Sequence, residues 1–185
     1  VGTSEVLKQD LGQSTRSLID LSFRHDKRDS IIKPTKGYMI KLGSEIAGLG
    51  GDEQFVKAEA SGKIYQGIYG NNIIFSTELE GGILTMGKGY SKIVDRFQLG
   101  GRSFRGYKFS GIGPRELSGG AYTIPLGGEK YAIARFAASF PLGLPRELGL
   151  FGSIFAEAGT LWDLKSDPSV PGLSDKVALT ERSLR

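Results

Sequence analysis

Apolar and polar residues alternate with a period of two along most of this chain, and helical spacing is hard to find. Ile19, Leu21 and Phe23 oppose Asp20, Ser22 and Arg24. Tyr38, Ile40, Leu42 and Ile46 alternate with Lys41, Gly43 and Glu45. Val56, Ala58, Ala60, Gly62 and Ile64 oppose Lys57, Glu59, Ser61 and Lys63, and Ile73, Phe75, Thr77 and Leu79 oppose Ser76, Glu78 and Glu80. Further on, Ala132, Ala134, Phe136, Ala138 and Phe140 run against Tyr131, Arg135 and Ser139. Last, Leu148, Leu150, Ile154, Ala156 and Ala158 run against Ser153, Phe155 and Glu157. Alternation puts successive side chains on opposite faces, so each segment predicts a two-faced strand. Pro34-Thr35-Lys36-Gly37, Gly48 to Asp52, Gly67 to Asn72, and Leu142 to Glu147 with Pro145 carry turn chemistry between them. The fourth and fifth strands are separated by an outsized connection, Met86 to Gly128. A segment of that length is usually functional or disordered, and its Gly, Tyr and Phe content favours an ordered loop folded back on the sheet.

Composition narrows the choice. Of 185 residues 28 are Gly, none is Cys and one, His25, is His. Disulfide scaffolds, zinc and iron–sulfur sites, thiol nucleophiles and His-based triads are thereby removed or nearly so. A net charge of +4, scattered along the chain, argues against a nucleic-acid surface. No apolar run is long enough for a transmembrane helix, a test that membrane strands escape because they alternate. Each predicted strand has about ten residues, enough to cross a bilayer when tilted. Two all-β architectures therefore fit: a soluble sandwich whose apolar face meets a second sheet, or a membrane barrel whose apolar face meets lipid. Six strands fall short of the roughly eight that the smallest single-chain barrels need. With its start at Val1 and its end at Arg185, the chain reads as a piece of a longer protein.

Several candidate sites weaken on inspection. Gly82-x-x-x-x-Gly87-Lys88 approaches a phosphate-binding loop, but Gly89 stands where Ser or Thr would hold magnesium, and no helix follows. Asp26 and Asp29 suggest calcium less than a solvated turn. Glu78, Glu80 and Glu157 read as charges on a wet inner face rather than as a catalytic pair. Trp162 and His25 read as membrane-edge residues. No enzyme, metal or cofactor is expected.

The long connection holds Gly100-Gly101-Arg102-Ser103-Phe104-Arg105-Gly106-Tyr107, then Gly111-Ile112-Gly113-Pro114-Arg115, Gly119-Gly120 and Gly127-Gly128. A later strand reads Phe155-Ala156-Glu157-Ala158-Gly159-Thr160-Leu161-Trp162, and Asp26-Lys27-Arg28-Asp29-Ser30 precedes Pro34-Thr35-Lys36-Gly37 upstream. In this order and spacing the set resembles the C-terminal barrel of the BamA-like family of outer-membrane β-barrel assembly proteins, also called the bacterial surface antigen family. The resemblance runs from about Thr15 to Arg185.

It implies an antiparallel transmembrane β-barrel, present here as a half-barrel of about six strands with one long inward-folded loop. Residues 1–185 would be part of that C-terminal barrel domain, a further strand would begin near Leu184, and the POTRA repeats, first strands and closing strands would lie outside the chain. The resemblance also implies that the loop motif Phe104, Arg105, Gly106 and Tyr107 docks on an inner-wall motif of Phe155, Glu157 and Gly159. Glu157 stands where the family has Asp, which alters reach but keeps the charge. An Arg fork on a carboxylate can be bidentate, Gly106 can take a positive φ, and Gly100, Gly101, Ile112, Gly113, Pro114 and Arg115 would support the loop. The implied function is folding and inserting β-barrel proteins into the outer membrane of a Gram-negative bacterium, as the core of an assembly machine. Partners would be outer-membrane lipids, unfolded barrel proteins and accessory assembly lipoproteins, with no nucleic acid. A TamA-like or two-partner-secretion transporter barrel is the nearest alternative; a passive pore or a soluble β-sandwich binding module is more distant.

Overall fold

A computed structural model describes residues 12–118, 122–143, 150–164, 177–178 and 182–184. Among these, every element is a strand: β1 (Arg16–Asp26), β2 (Lys36–Gly51), β3 (Phe55–Ile68), β4 (Ile73–Met86), β5 (Arg115–Ser118), β6 (Tyr122–Pro125), β7 (Lys130–Pro141), β8 (Phe151–Trp162), β9 (Val177–Ala178) and β10 (Arg182–Leu184). The main sheet has seven antiparallel strands in the order β1-β2-β3-β4-β7-β8-β10, and a small sheet is ordered β6-β5-β9.

The six predicted strands are β1 to β4, β7 and β8, and β10 adds the further strand expected near Leu184. Several run longer than their alternation suggested: β2 has 16 residues, β3 and β4 have 14 each. The reason is that β2 and β4 continue through small and apolar inner residues such as Ala47 and Leu84, which lie beneath the long connection and need no polar partner. The last predicted strand begins at Phe151; Leu148 and Pro145 lie outside the described residues, as do Gly119 and Gly120. The long connection contains β5 and β6 rather than loop alone.

Register follows the alternation. Ile19 pairs with Ile46 and Phe23 with Leu42; Leu42 pairs with Ala60, Gly62 with Leu79, Leu79 with Ala134, and Ala134 with Ala158. One continuous apolar face results. Its large side chains, among them Ile19, Leu21, Phe23, Leu42, Ile64, Leu79, Phe136 and Ile154, are between 42 and 64 % exposed. Among the described residues no second sheet covers this face, as a sandwich would require. Soluble proteins do not leave a contiguous face of this kind to water.

The opposite, inner face carries Glu45, Lys57, Glu59, Lys63, Glu78, Glu80, Arg135 and Glu157, and the long connection packs on it. The core is therefore not between sheets. Phe55, Leu84, Tyr131, Ile133 and Leu161 of the inner wall surround Phe97, Leu99, Phe104 and Ile112 of the connection, all buried.

At the other end of the sheet the β1–β2 turn is built by its acidic residues. Asp29 accepts from the backbone N–H groups of Thr35 (2.9 Å) and Lys36 (3.1 Å) and from the Thr35 hydroxyl. The Thr35 hydroxyl, then the two amides, hold the Asp29 carboxyl down to about 2. Asp26 is taken by Arg24 and Arg28. The cluster read from the sequence is thus a hydrogen-bonded turn scaffold. His25 lies between Phe23, stacked at 6.5 Å, and Tyr38 at 5.7 Å on the same strand pair.

Candidate loop-docking site

The connection closes on itself first. Phe97 and Gly128 exchange two backbone hydrogen bonds of 2.9 and 3.1 Å, and Leu99 bridges Ile112. Within that frame Gly100 (φ +127°) leaves no room for a side chain, since a Cβ there would lie 2.1 Å from the Lys108 carbonyl oxygen. Gly101 and Gly106 also have positive φ, +64° and +83°. Their sequence turns the chain so that Phe104 points at the wall while the Gly101 N–H donates to the Tyr107 carbonyl at 3.0 Å and closes the turn.

Phe104, 1 % exposed, sits on β8 where Gly159 has no side chain. A Cβ on Gly159 would lie 2.6 Å from the ring. Tyr107 meets Phe104 edge-on at 5.5 Å. The same device recurs twice. Gly82 of β4 lies under Phe97, and Gly113 lies against Leu161, with would-be Cβ approaches of 2.8 and 2.5 Å. Wall and loop glycines thus act as sockets for apolar side chains.

Beside Gly159, Glu157 accepts two bonds from one residue. Arg105 Nε lies 2.7 Å from one carboxylate oxygen, and the Arg105 backbone N–H donates to the other at 3.0 Å. The contact is therefore not the two-pronged guanidinium fork expected from the sequence. The close seat of Phe104 brings the backbone of residue 105 to the wall, so one carboxylate oxygen is claimed by the amide. The guanidinium instead lies over Phe155, its Cζ 3.9 Å from the ring centroid. Glu157 is buried, whereas the Arg105 side chain is half exposed. The structure thus brings together Phe104, Arg105, Tyr107, Phe155, Glu157 and Gly159.

The supporting residues serve the same frame. Ile112 and Pro114 are buried, and Arg115 donates to the Ser110 carbonyl at 2.8 Å. Glu78 and Glu80 face charges on neighbouring strands: Lys63 lies 3.2 Å from Glu78, and Arg135 lies 2.6 Å from Glu80. Gly82, the first residue of the false phosphate loop, is a socket.

Sequence reasoning missed three contacts. Arg135 donates to the Ser103 carbonyl at 2.6 Å, a second tie between wall and loop. Buried Ser91 donates to buried Glu129 at 2.8 Å and accepts from Arg96 Nε at 2.8 Å, bracing the root of the connection. Arg16 of β1 grips Asp95 through both terminal nitrogens, at 2.8 and 3.0 Å, and bonds Glu53, which also takes Lys92. Burial raises the Glu53 carboxyl, but the bonds from Lys92, Ser14 and Arg16 outweigh it and hold it at about 2. Apart from Ser91 and Arg96, five residues apart, these partners are distant in sequence, and only Arg16 and Arg135 carried a signal, as polar residues at inward strand positions.

Residues 3–178 match the model of the Omp85 superfamily domain. The chain belongs to the Omp85 superfamily. Among its Omp85 relatives, the sorting and assembly machinery component 50 homolog of Bos taurus is 36 % identical over 155 residues, covering 82 % of this chain and 32 % of that protein. The outer membrane protein assembly factor BamA of Nitratidesulfovibrio vulgaris is 31 % identical over 133 residues, covering 70 % of this chain and 16 % of that protein. The chain therefore spans a third or less of these relatives. The crystal structure of BamA from Haemophilus ducreyi lacking POTRA domains 1–3 superposes with a TM-score of 0.68 at 18 % identity, over 78 % of this chain and 30 % of that one. The seven-stranded sheet accordingly has the fold of part of a BamA barrel, with the long connection packed on its polar face.

Proposed function

We propose that this chain is part of an outer-membrane protein assembly factor that folds and inserts other β-barrel proteins, without covalent chemistry or cofactor. The observation that carries the reading is the clasp of Phe104 and Arg105 on Phe155, Glu157 and Gly159, in a chain whose relatives are named for assembly. A loop bonded inside the barrel braces the wall, so that strand pairing can be strained elsewhere without the barrel collapsing. Unpaired strand edges are templates for incoming strands, and that supplies the driving chemistry of assembly. Substrates would be unfolded barrel proteins, with outer-membrane lipids and accessory lipoproteins as partners.

The location is an outer membrane. The motif resemblance supports a Gram-negative bacterium, while the relatives from animals favour a eukaryotic membrane; fractionation of the source cells separates the two. A TamA-like or two-partner-secretion role keeps the same clasp and differs in what the barrel handles.

The test is reconstitution of the natural gene product in liposomes, followed by addition of a urea-unfolded barrel protein. Assembly activity predicts faster appearance of the heat-modifiable folded band than in empty liposomes, with the gain reduced by Arg105→Ala. A rate equal to that of empty liposomes would overturn the reading, and export of an added unfolded polypeptide across the bilayer would favour the transporter.

A further inference from the structure

Arg135 of β7 and Glu157 of β8 are register partners, directly opposite each other on the inner face. Opposite charges at such positions, with Cα atoms about 4.5–5.5 Å apart, are placed to neutralise one another. Here both turn to the loop. Glu157 holds the Nε and backbone N–H of Arg105, and Arg135 holds the carbonyl of Ser103, two residues earlier. Arg135 keeps its other terminal nitrogen on Glu80 at 2.6 Å, and Glu80 is itself bonded by the Tyr131 hydroxyl at 3.0 Å.

We propose that Arg135 and Glu157 form an exchange latch. With the loop docked, each wall residue bonds the loop; with the loop released, they bond each other. Arg135 is thereby a positioning residue for the loop. The physical reason lies in Glu157. A carboxylate that loses Arg105 gives up a charge-assisted bond, so a wall offering only Glu157 would favour the docked loop more strongly. Arg135 stands one strand away, anchored through Glu80, and turning its free end from Ser103 to Glu157 satisfies the carboxylate when Arg105 leaves. Release then gives up the two bonds from Arg105 and the one to Ser103 and gains an Arg135–Glu157 pair, so the wall carboxylate regains a charged partner. The inference deepens the bracing role in the assembly reading. Its test reads loop exposure and wall stability, so failure of the latch and failure of assembly activity are told apart.

The natural gene product in detergent is the sample. In an otherwise unaltered loop, Arg135→Gln is expected to raise trypsin cleavage after the exposed loop residues Arg102 and Lys108 by about tenfold, while the heat-modifiable folded band persists. Unchanged cleavage overturns the anchoring role. The exchange is tested in a loop-released background, Phe104→Ser with Arg105→Ser, whose release is verified by the same cleavage. There, Glu157→Gln is expected to lower the melting temperature by about 2–4 °C, because it breaks the Arg135–Glu157 pair, and adding Arg135→Gln is expected to abolish that loss. If Glu157→Gln raises the melting temperature or leaves it unchanged, Glu157 stands unpaired after release and the latch is refuted.

Discussion

Gly159→Ala isolates packing from charge at the clasp. The added methyl would lie 2.6 Å from one carbon of the Phe104 ring and 3.2 Å from the next, against an optimal separation of about 3.5–4.0 Å. The ring must retreat by about 1 Å, or β8 must bend. Phe104 is 1 % exposed and has Tyr107 against its edge, so neither path is free. Overpacking of this kind costs about 1–3 kcal/mol, equivalent to a shift of about 5- to 150-fold in the ratio of docked to released loop. The shift also drags Arg105, the next residue, away from Glu157. The assay is trypsin cleavage after Arg102 and Lys108, with the heat-modifiable band as the control for barrel folding. Phe104→Leu supplies the second arm: a smaller side chain makes room for the methyl, so the double variant should lose less protection than the two single losses added together. Unaltered protection in Gly159→Ala, or strict additivity with Phe104→Leu, would refute the socket argument.

Other consequences follow from the same geometry. Arg105→Ala removes a charge-assisted bond from buried Glu157 and is expected to weaken docking by about 1.5–3 kcal/mol. Arg105→Lys should recover little, because Nε and the flat stack on Phe155 are lost together; growth complementation and gel heat-modifiability check both. For Glu53, whose carboxyl is depressed from 4.5 to about 2, the native state binds the proton more weakly than the unfolded one. Its contribution to the Arg16–Lys92–Asp95 clamp is therefore complete above pH 4.5 and lost as pH falls through about 2. Thermal melts across that window should show a slope that Glu53→Gln flattens, and parallel slopes would sink the assignment. Asp29→Ala deletes the acceptor for Thr35 and Lys36, so amide exchange at those two residues should quicken while β3 and β4 stay protected.

Much of this was legible before any coordinates. Period-two alternation located the six long strands, because a strand's geometry sends every second side chain to the same face wherever the partner strand lies. Turn residues such as Pro34-Thr35-Lys36-Gly37 act over a few bonds, so the hairpins could be read in order. That Phe104-Arg105-Gly106-Tyr107 would meet Phe155-x-Glu157-x-Gly159 was implied by the family resemblance, and alternation added only that Glu157 lies on the polar face.

Tertiary structure decided the rest. Whether the apolar face meets a second sheet or none is a property of what packs across it, and alternation is the same in both cases. Arg105 presents Nε and its amide, not a fork, because the seat of Phe104 on Gly159 sets how close the backbone comes to the wall. Arg135 could be placed on the inner face, but its choice of Ser103 over its register partner Glu157 depends on a loop returning from 32 residues away. The glycines at 82, 113 and 159 look alike in the sequence. Their roles as sockets exist only once Phe97, Leu161 and Phe104 arrive from elsewhere in the chain, because a vacancy is defined by its neighbours and not by the residue that leaves it.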